Sequence, residues 1–391
     1  MTRELSSNER LILYGLVKYP NANNKELAES LGLNPSTLTT IKRRLKKGGF
    51  FRTITVPRMD WLSCELVQLT YANFNPAVPI EERVKKSRDS IEKAEEVIYS
   101  AGEPSRGFSI TISRDYTNLA NINDTRMEVF ARMNVLESEH PEVVIFPYRT
   151  SRILRFLDYA TLMQGELEPE SPYRDGARKD VHGLEGAQAQ KKRGKRAAAA
   201  AAAATREEAQ ASKEEAAFAG RCGPDLELSD TEKQVLVGLV EHPDLNDRSI
   251  GEKIHLSRAT VSNQRRNFIK SGLITRKCIP NLRALDFEIL GLTHLRLNPR
   301  AEVKGEELEK RMLECPNIIF LCGRRFEMGL LAVYKNYDQF KEEKLRQLRL
   351  LKETNLFLEP PINRLFSVSQ TVTIKDVDYG PLLKKVLGVN Q

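Results

Sequence analysis

Two stretches of the chain carry residues suited to a polyanion. NPSTLTTIKRRLKKGGFFRTITVP runs from Asn34 to Pro57, and SRATVSNQRRNFIKSGLITRKCIP from Ser257 to Pro280. Each opens on small polar residues, passes into arginine and lysine, pauses at glycine and ends in a short run before proline. Small polar side chains can approach base edges, while arginine and lysine meet phosphates. The first stretch offers Pro35, Ser36, Thr37, Thr39 and Thr40 for bases, with Arg43, Arg44, Lys47 and Arg52 for phosphates. The second offers Arg258, Ala259, Thr260, Ser262 and Asn263, with Arg265, Arg266, Lys270, Arg276 and Lys277. Arginine reads guanine well and asparagine adenine, so the two stretches should not prefer the same half-site.

Other chemistries find less support. The five histidines, His140, His182, His242, His255 and His294, are scattered, and none stands beside a carboxylate or cysteine at catalytic or ligand spacing. The five cysteines show no C-x-x-C pair, which argues against a zinc site or a disulfide framework. No metal, cofactor or catalysis is expected. The net charge of +8 suits an acidic partner. Met1 to Glu4 carries charge where a signal peptide needs an apolar core, and no apolar run approaches the roughly 18 residues that span a bilayer. A cytoplasmic protein without membrane contact is the expectation.

The elements that would position these stretches also occur twice. LSSNERLILYGLVKYP (Leu5 to Pro20) matches LSDTEKQVLVGLVEHP (Leu228 to Pro243), and the register holds as far as LTYANFNP against LTHLRLNP. Ser6 and Glu9 form a capping box, repeated by Ser229 and Glu232. Asn23 can cap a second helix that stops at Gly32, where the other copy has His255, a poorer residue for a left-handed turn. Asn34 and Pro35 start a third helix with the apolar stripe Leu38, Ile41 and Leu45. FFRTITV reads as strand and completes a winged helix-turn-helix with a β-hairpin wing. Beyond it the strand and helix signals run β-α-β-β-α-β, a ferredoxin-like order. The expected fold is α+β: winged helix-turn-helix at 1–62 and 227–285, ferredoxin-like domains at 63–163 and 286–391, and an Ala/charged linker at 164–226. The linker, with KKRGKR and eight alanines, is too poor in large apolar residues to fold alone.

A winged helix-turn-helix joined to a ferredoxin-like domain resembles the Lrp/AsnC family of archaeal and bacterial transcription regulators. ELAESLGLNPSTLTTIKRRLKKGGFF and SIGEKIHLSRATVSNQRRNFIKSGLI carry the resemblance most strongly. The tandem form looks like large duplicated regulators of methanogenic archaea. The resemblance implies double-stranded DNA as partner, and pairing through the ferredoxin-like sheets, within one chain or between two. It also implies a small-molecule effector near a glycine-to-acid turn, matched loosely by Gly102 with Glu103 and by Gly323 with Glu327. Some relatives of the family decarboxylate sirohaem. The resemblance to those implies a His- and Tyr-bearing strand pair, but GEPSRGFSI and GRRFEMGLL at the matching places hold no histidine.

Overall fold

The computed structural model describes residues 4–136, 140–167, 226–301, 305–352, 356–357 and 359–389. The linker cluster KKRGKR lies outside the described residues. The same element order occurs in both halves. In the first, α1 (Ser7–Lys18), α2 (Asn24–Ser30) and α3 (Pro35–Lys47) form the helix-turn-helix, followed by β1 (Phe51–Pro57). The ferredoxin-like unit follows as β2 (Leu66–Asn73), α4 (Ile80–Lys93), β3 (Val97–Glu103), β4 (Arg106–Ser113), α5 (Tyr116–Arg132) and β5 (Glu142–Pro147), then β6 (Ser151–Arg155) and α6 (Ala160–Leu167). The second half runs α7 (Asp230–Glu241), α8 (Asp247–Ile254), α9 (Arg258–Ser271), β7 (Ile274–Pro280), β8 (Ile289–Arg296), α10 (Gly305–Leu313), β9 (Ile318–Arg324), β10 (Glu327–Tyr334), α11 (Tyr337–Lys352), β11 (Ile362–Ser367), β12 (Val372–Lys375) and α12 (Gly380–Leu387).

Helix starts follow their caps. Ser6 and Ser229 close capping boxes with Glu9 and Glu232, and the side chains of Asn23, Asn34, Asn246 and Ser257 accept from first-turn amides. His255 takes the left-handed turn as Gly32 does, at φ 56° against 66°. The left-handed residue is kept, but the helix before it runs one residue further in the second copy, to Ile254 against Ser30, a slight difference between the turns; histidine is among the residues that enter this region at modest cost.

The strand after each third helix does not fold back as a hairpin. Pro57 is followed by Arg58 and the single turn Met59–Trp61, so no adjacent strand is at hand. Instead β1 pairs antiparallel with β7, Ile54 opposite Lys277, and one two-stranded ribbon joins the two helix-turn-helix units. The ferredoxin-like sheets also exchange strands. β6 leaves the first half to pair with β9, and β12 leaves the second to pair with β3, giving orders β12-β3-β4-β2-β5 and β11-β8-β10-β9-β6. Each exchanged strand leads into a helix that packs on the first helix of a helix-turn-helix unit, α6 on α1 and α12 on α7. Asp158 and Asp378, from the matched DYATL and DYGPL segments, accept from the amides of Ala160 and Gly380 at the starts of these helices.

The two sheets face one another across one apolar cluster that includes Val67, Leu69, Phe146, Leu290 and Leu292. Their approach is close at Gly329, where a Cβ would stand 3.1 Å from Leu69 Cδ2 and 3.3 Å from the Phe146 ring. Among the described residues no helix is long and apolar enough to cross a membrane.

Candidate nucleic-acid interface

Helix α3 buries Leu38, Ile41 and Leu45 and turns its other residues outward. Pro35, Ser36, Thr37, Thr39, Thr40, Arg43 and Lys47 are exposed. Its start is held by Asn34 Oδ1, which accepts from the Ser36 amide at 3.0 Å and the Ser36 hydroxyl at 2.9 Å. Thr39 donates back to the Pro35 carbonyl at 2.8 Å, which occupies its proton.

Helix α9 buries Val261 and Phe268. Arg258, Ala259, Asn263, Arg266 and Lys270 are exposed, whereas Thr260 and Ser262 are half-buried. Ser257 Oγ accepts from the Thr260 amide at 3.1 Å, fixing the helix start.

Other cations named from the sequence are tied to internal partners. Arg44 Nε meets Glu9 Oε1 at 2.9 Å, and that carboxylate is almost wholly buried. Arg52 pairs with Asp376 at 2.5 Å. Arg265 pairs with Asp247 at 2.7 Å, and Lys277 with Asp158 at 3.5 Å. Arg276 donates to the Pro243 carbonyl at 3.2 Å, and burial pulls its guanidinium below the usual range. These five hold α3, the ribbon and α9 to the body of the protein. Sequence position alone could not separate them from Arg43 and Arg266, because the distinction lies in partners distant along the chain. Lys46, which sequence reasoning passed over, pairs with Asp244 at 3.0 Å and links the two helix-turn-helix units.

The acids named for an effector are engaged as well. Gly102 is buried opposite Gly107 in the β3–β4 pair, and Glu103 meets Arg106 at 2.8 Å and accepts from the Ser367 amide at 3.1 Å. Gly323 lies opposite Met328, and Glu327 accepts from Arg324 Nε at 2.8 Å. Glu327 also overturns the expectation that no histidine pairs with a carboxylate: its Oε1 stands 2.9 Å from His294 Nε2. The other ring nitrogen, Nδ1, lies 3.1 Å from the Tyr71 hydroxyl. Tyr71 and His294 hold equivalent places in the two halves, so these unlike residues meet where the sheets face each other. Burial, then the Glu142 charge, pushes the Tyr71 phenol up to about 12. Burial raises the Glu327 carboxyl, but hydrogen bonds from His294 and Arg324 outweigh it and leave the group below its ordinary value. The contact joins residues far apart in sequence, which spacing could not reveal.

A cavity of about 560 Å³ lies between the ribbon and the sheets, walled in part by Phe51, Tyr99, Phe108, Tyr159 and Leu331, with Arg52 and Asp376 among its polar groups. That volume falls within the range of small-molecule sites.

The family model described as MarR family matches residues 5–52 and 228–281, the two helix-turn-helix units. Among solved structures, the siroheme decarboxylase NirDL aligns over 98% of this chain and 98% of its own, at 12% identity and TM-score 0.46. An AsnC family transcriptional regulator from Agrobacterium tumefaciens aligns over 36% of this chain and 90% of its own, at 11% identity and TM-score 0.30. LrpC of B. subtilis aligns over 36% of this chain and 95% of its own, at 16% identity and TM-score 0.29. No curated protein matches the sequence. The α+β organisation of helix-turn-helix units and ferredoxin-like sheets is the one read from the sequence. The expectation of no catalysis is not upheld: a solved structure that aligns over 98% of this chain is that of an enzyme.

Proposed function

We propose that the chain is a DNA-binding transcription regulator of the tandem Lrp/AsnC type, with two unlike reading heads on one molecule. The carrying observation is the outward polar face of α3 and α9 on two helix-turn-helix units yoked by the β1–β7 ribbon. Each third helix would enter the major groove by its capped N-terminal end. Pro35, Ser36, Thr37, Thr39 and Thr40 on one head, and Arg258, Ala259, Thr260, Ser262 and Asn263 on the other, would then meet base edges. Arg43, Lys47, Arg266 and Lys270 would meet phosphates. An effector would seat in the cavity beneath the ribbon, since Phe51 and Arg52 in its wall follow α3 by only a few residues.

Selection of bound sequences from random duplex DNA by the full chain tests this reading. An asymmetric motif with two parts about 10 base pairs apart, or a multiple of that, is expected. Recovery of no motif, with only weak and salt-sensitive binding, would end it.

A second reading rests on the Tyr71–His294–Glu327 chain, a carboxylate-oriented imidazole of the kind that moves protons. On that reading the fold works on a tetrapyrrole, as the siroheme decarboxylase does. Incubation with sirohaem, followed by mass spectrometry for lost carboxyl groups, decides it: turnover abolished by His294→Ala would establish it, and an unchanged mass would dismiss it.

A further inference from the structure

The helix-facing side of the first ferredoxin-like sheet differs in kind from its counterpart. Strand pairing fixes the correspondence. Ser109 lies opposite Thr70 on one side and Ser100 on the other. In the second sheet Leu330 lies opposite Thr293 and Leu321. One pair further along, Ala72 and Gly107 stand where Leu295 and Met328 do. Counting back from the turns that join helix to strand, at Ala94–Val97 and Cys315–Ile318, Ser87 of α4 answers Leu308 of α10. In the second half these leucines and Met328 close one apolar cluster. In the first half the buried members of the corresponding cluster, among the described residues, are Ala72, Phe74, Phe130 and Val135.

Two guanidinium groups occupy the space released. Arg83 is 1% exposed and Arg126 8%. Neither pairs with a carboxylate among the described residues. Arg126 Nη1 donates to Ser109 Oγ at 3.1 Å, and its Nε finds no acceptor. Arg83 donates to the Pro104 carbonyl at 2.6 Å and to that of Glu103, and its Nε is likewise without an acceptor. The Arg83 guanidinium lies 4.4 Å from the Phe74 ring centre and that of Arg126 5.8 Å from Phe130. The two rings meet edge to face at 5.8 Å.

Capping the β3–β4 turn accounts for Arg83. One serine hydroxyl does not account for Arg126. Arginine stays charged in proteins, and a buried charge without a counter-charge is costly. Burial draws the Arg126 guanidinium down to about 10. Beside both arginines lies a cavity of about 30 Å³, lined also by Thr70, Ser100 and Ser109. That space takes one or two water-sized groups.

We propose that this cavity binds a small monovalent anion, a short carboxylate or a halide, held chiefly by Arg126 with serine hydroxyls as further donors. The fold does not require the polar lining, since the second half builds the same layer from leucine. The proposal is independent of the DNA-binding reading.

The test is the unfolding midpoint of the full chain at fixed ionic strength, titrated separately with sodium formate and sodium bromide. A saturable rise of about 2–4 °C is expected, and Arg126→Met should remove it. A rise with formate alone identifies a carboxylate site; a rise with bromide, or with both, identifies a site for any small anion. If Arg126→Met does not fold, Ser109→Leu installs the residue of the second half, closes the cavity and should remove the rise. No saturable rise in the unmodified chain, or a rise kept intact in Ser109→Leu, overturns the proposal.

Discussion

Ser109 and Leu330 hold one place in two sheets, each opposite a threonine of the neighbouring strand. Around Leu330 the layer between sheet and helices is closed by Leu308, Leu321 and Met328. Around Ser109 it holds two arginines, serine hydroxyls and a cavity. The backbone order is the same on both sides, so the topology leaves the interior free. What each half must keep is the face toward the other sheet, where Leu69 and Leu292 share one cluster. The helix-facing side answers to no such shared constraint and has diverged in polarity.

The largest effect should come from making the second half resemble the first. Leu330→Ser removes a 2%-exposed side chain from a filled cluster and leaves a hydroxyl in its place. We expect a loss of about 3–5 kcal/mol, read by urea unfolding. The reverse change, Ser109→Leu, partly fills existing space but takes away the Arg126 acceptor, so it should cost less, about 1–3 kcal/mol. Equal costs for the two would show that the two interiors are packed alike and would break the comparison.

Next in size is a pH effect confined to the second half. In the turns before α5 and α11, Asp115 and Asn336 are equivalent caps, which places Lys344 where the first half has Asn123. Asn123 exchanges two hydrogen bonds with Gln68, whereas Lys344 donates to Thr293 Oγ1 at 3.2 Å. Burial lowers the Lys344 ammonium from 10.5 to about 8. The folded state therefore binds its proton less tightly than the unfolded one. The penalty is fully present below pH 8 and is relieved as pH rises from about 8 toward 10.5. Lys344→Met should add about 2 kcal/mol at pH 7 and remove that rise. A variant with the same alkaline slope as the unmodified chain would show that Lys344 is not the group responsible.

A smaller contrast lies on the line where the halves meet. Glu327, held below its ordinary value against the desolvation that would raise it, contributes stability above the unfolded pKa of about 4.5, which is lost as pH falls through the folded value. Glu327→Gln should flatten this acid limb by about 1 kcal/mol while leaving neutral-pH pairing of the sheets intact. Tyr71→Phe, which removes the hydroxyl facing His294 Nδ1, should leave the limb in place, because Arg324 and His294 still hold the carboxylate.

The helix-turn-helix units were legible because their signals are local: Ser6 with Glu9, Asn34 with Pro35, and the Leu38–Ile41–Leu45 stripe each lie within one helix. The order of ferredoxin-like elements was legible for the same reason. Strand exchange was not. The short runs SRILR of β6 and VTIK of β12 do not say which sheet edge receives the strand. β1 likewise carried no mark of a partner at β7 in place of an adjacent hairpin strand. Arg83 and Arg126 read in sequence as ordinary helical cations; only the serines and Gly107 opposite them, brought together by sheet register, make them unusual.

The two reading heads give the smallest effect and the sharpest division among residues of one type. Arg43 and Arg44 are neighbours on α3 and both are exposed, but Arg44 carries the buried Glu9 carboxylate. The second head has Asn267 at the place of Arg44 and Arg266 at the place of Arg43. If the proposed docking holds, Arg43→Ala and Arg266→Ala should each lower the slope of log affinity against log salt by about 1, across all DNA sequences and without loss of stability. Arg44→Ala should do the opposite in the first head: it takes the Oε1 ion pair from the buried Glu9 carboxylate, leaving the Ser6 contacts, and weakens the fold. In the second head Asn267→Ala should have no such effect, because asparagine forms no ion pair with the equivalent Glu232. Asn263→Ala should then alter preference among sequences at one half-site only, because Thr40 holds that place on the other head and cannot make the paired hydrogen bonds by which asparagine selects adenine. A salt slope moved by Arg44→Ala but not by Arg43→Ala would mean that α3 meets DNA by a different face.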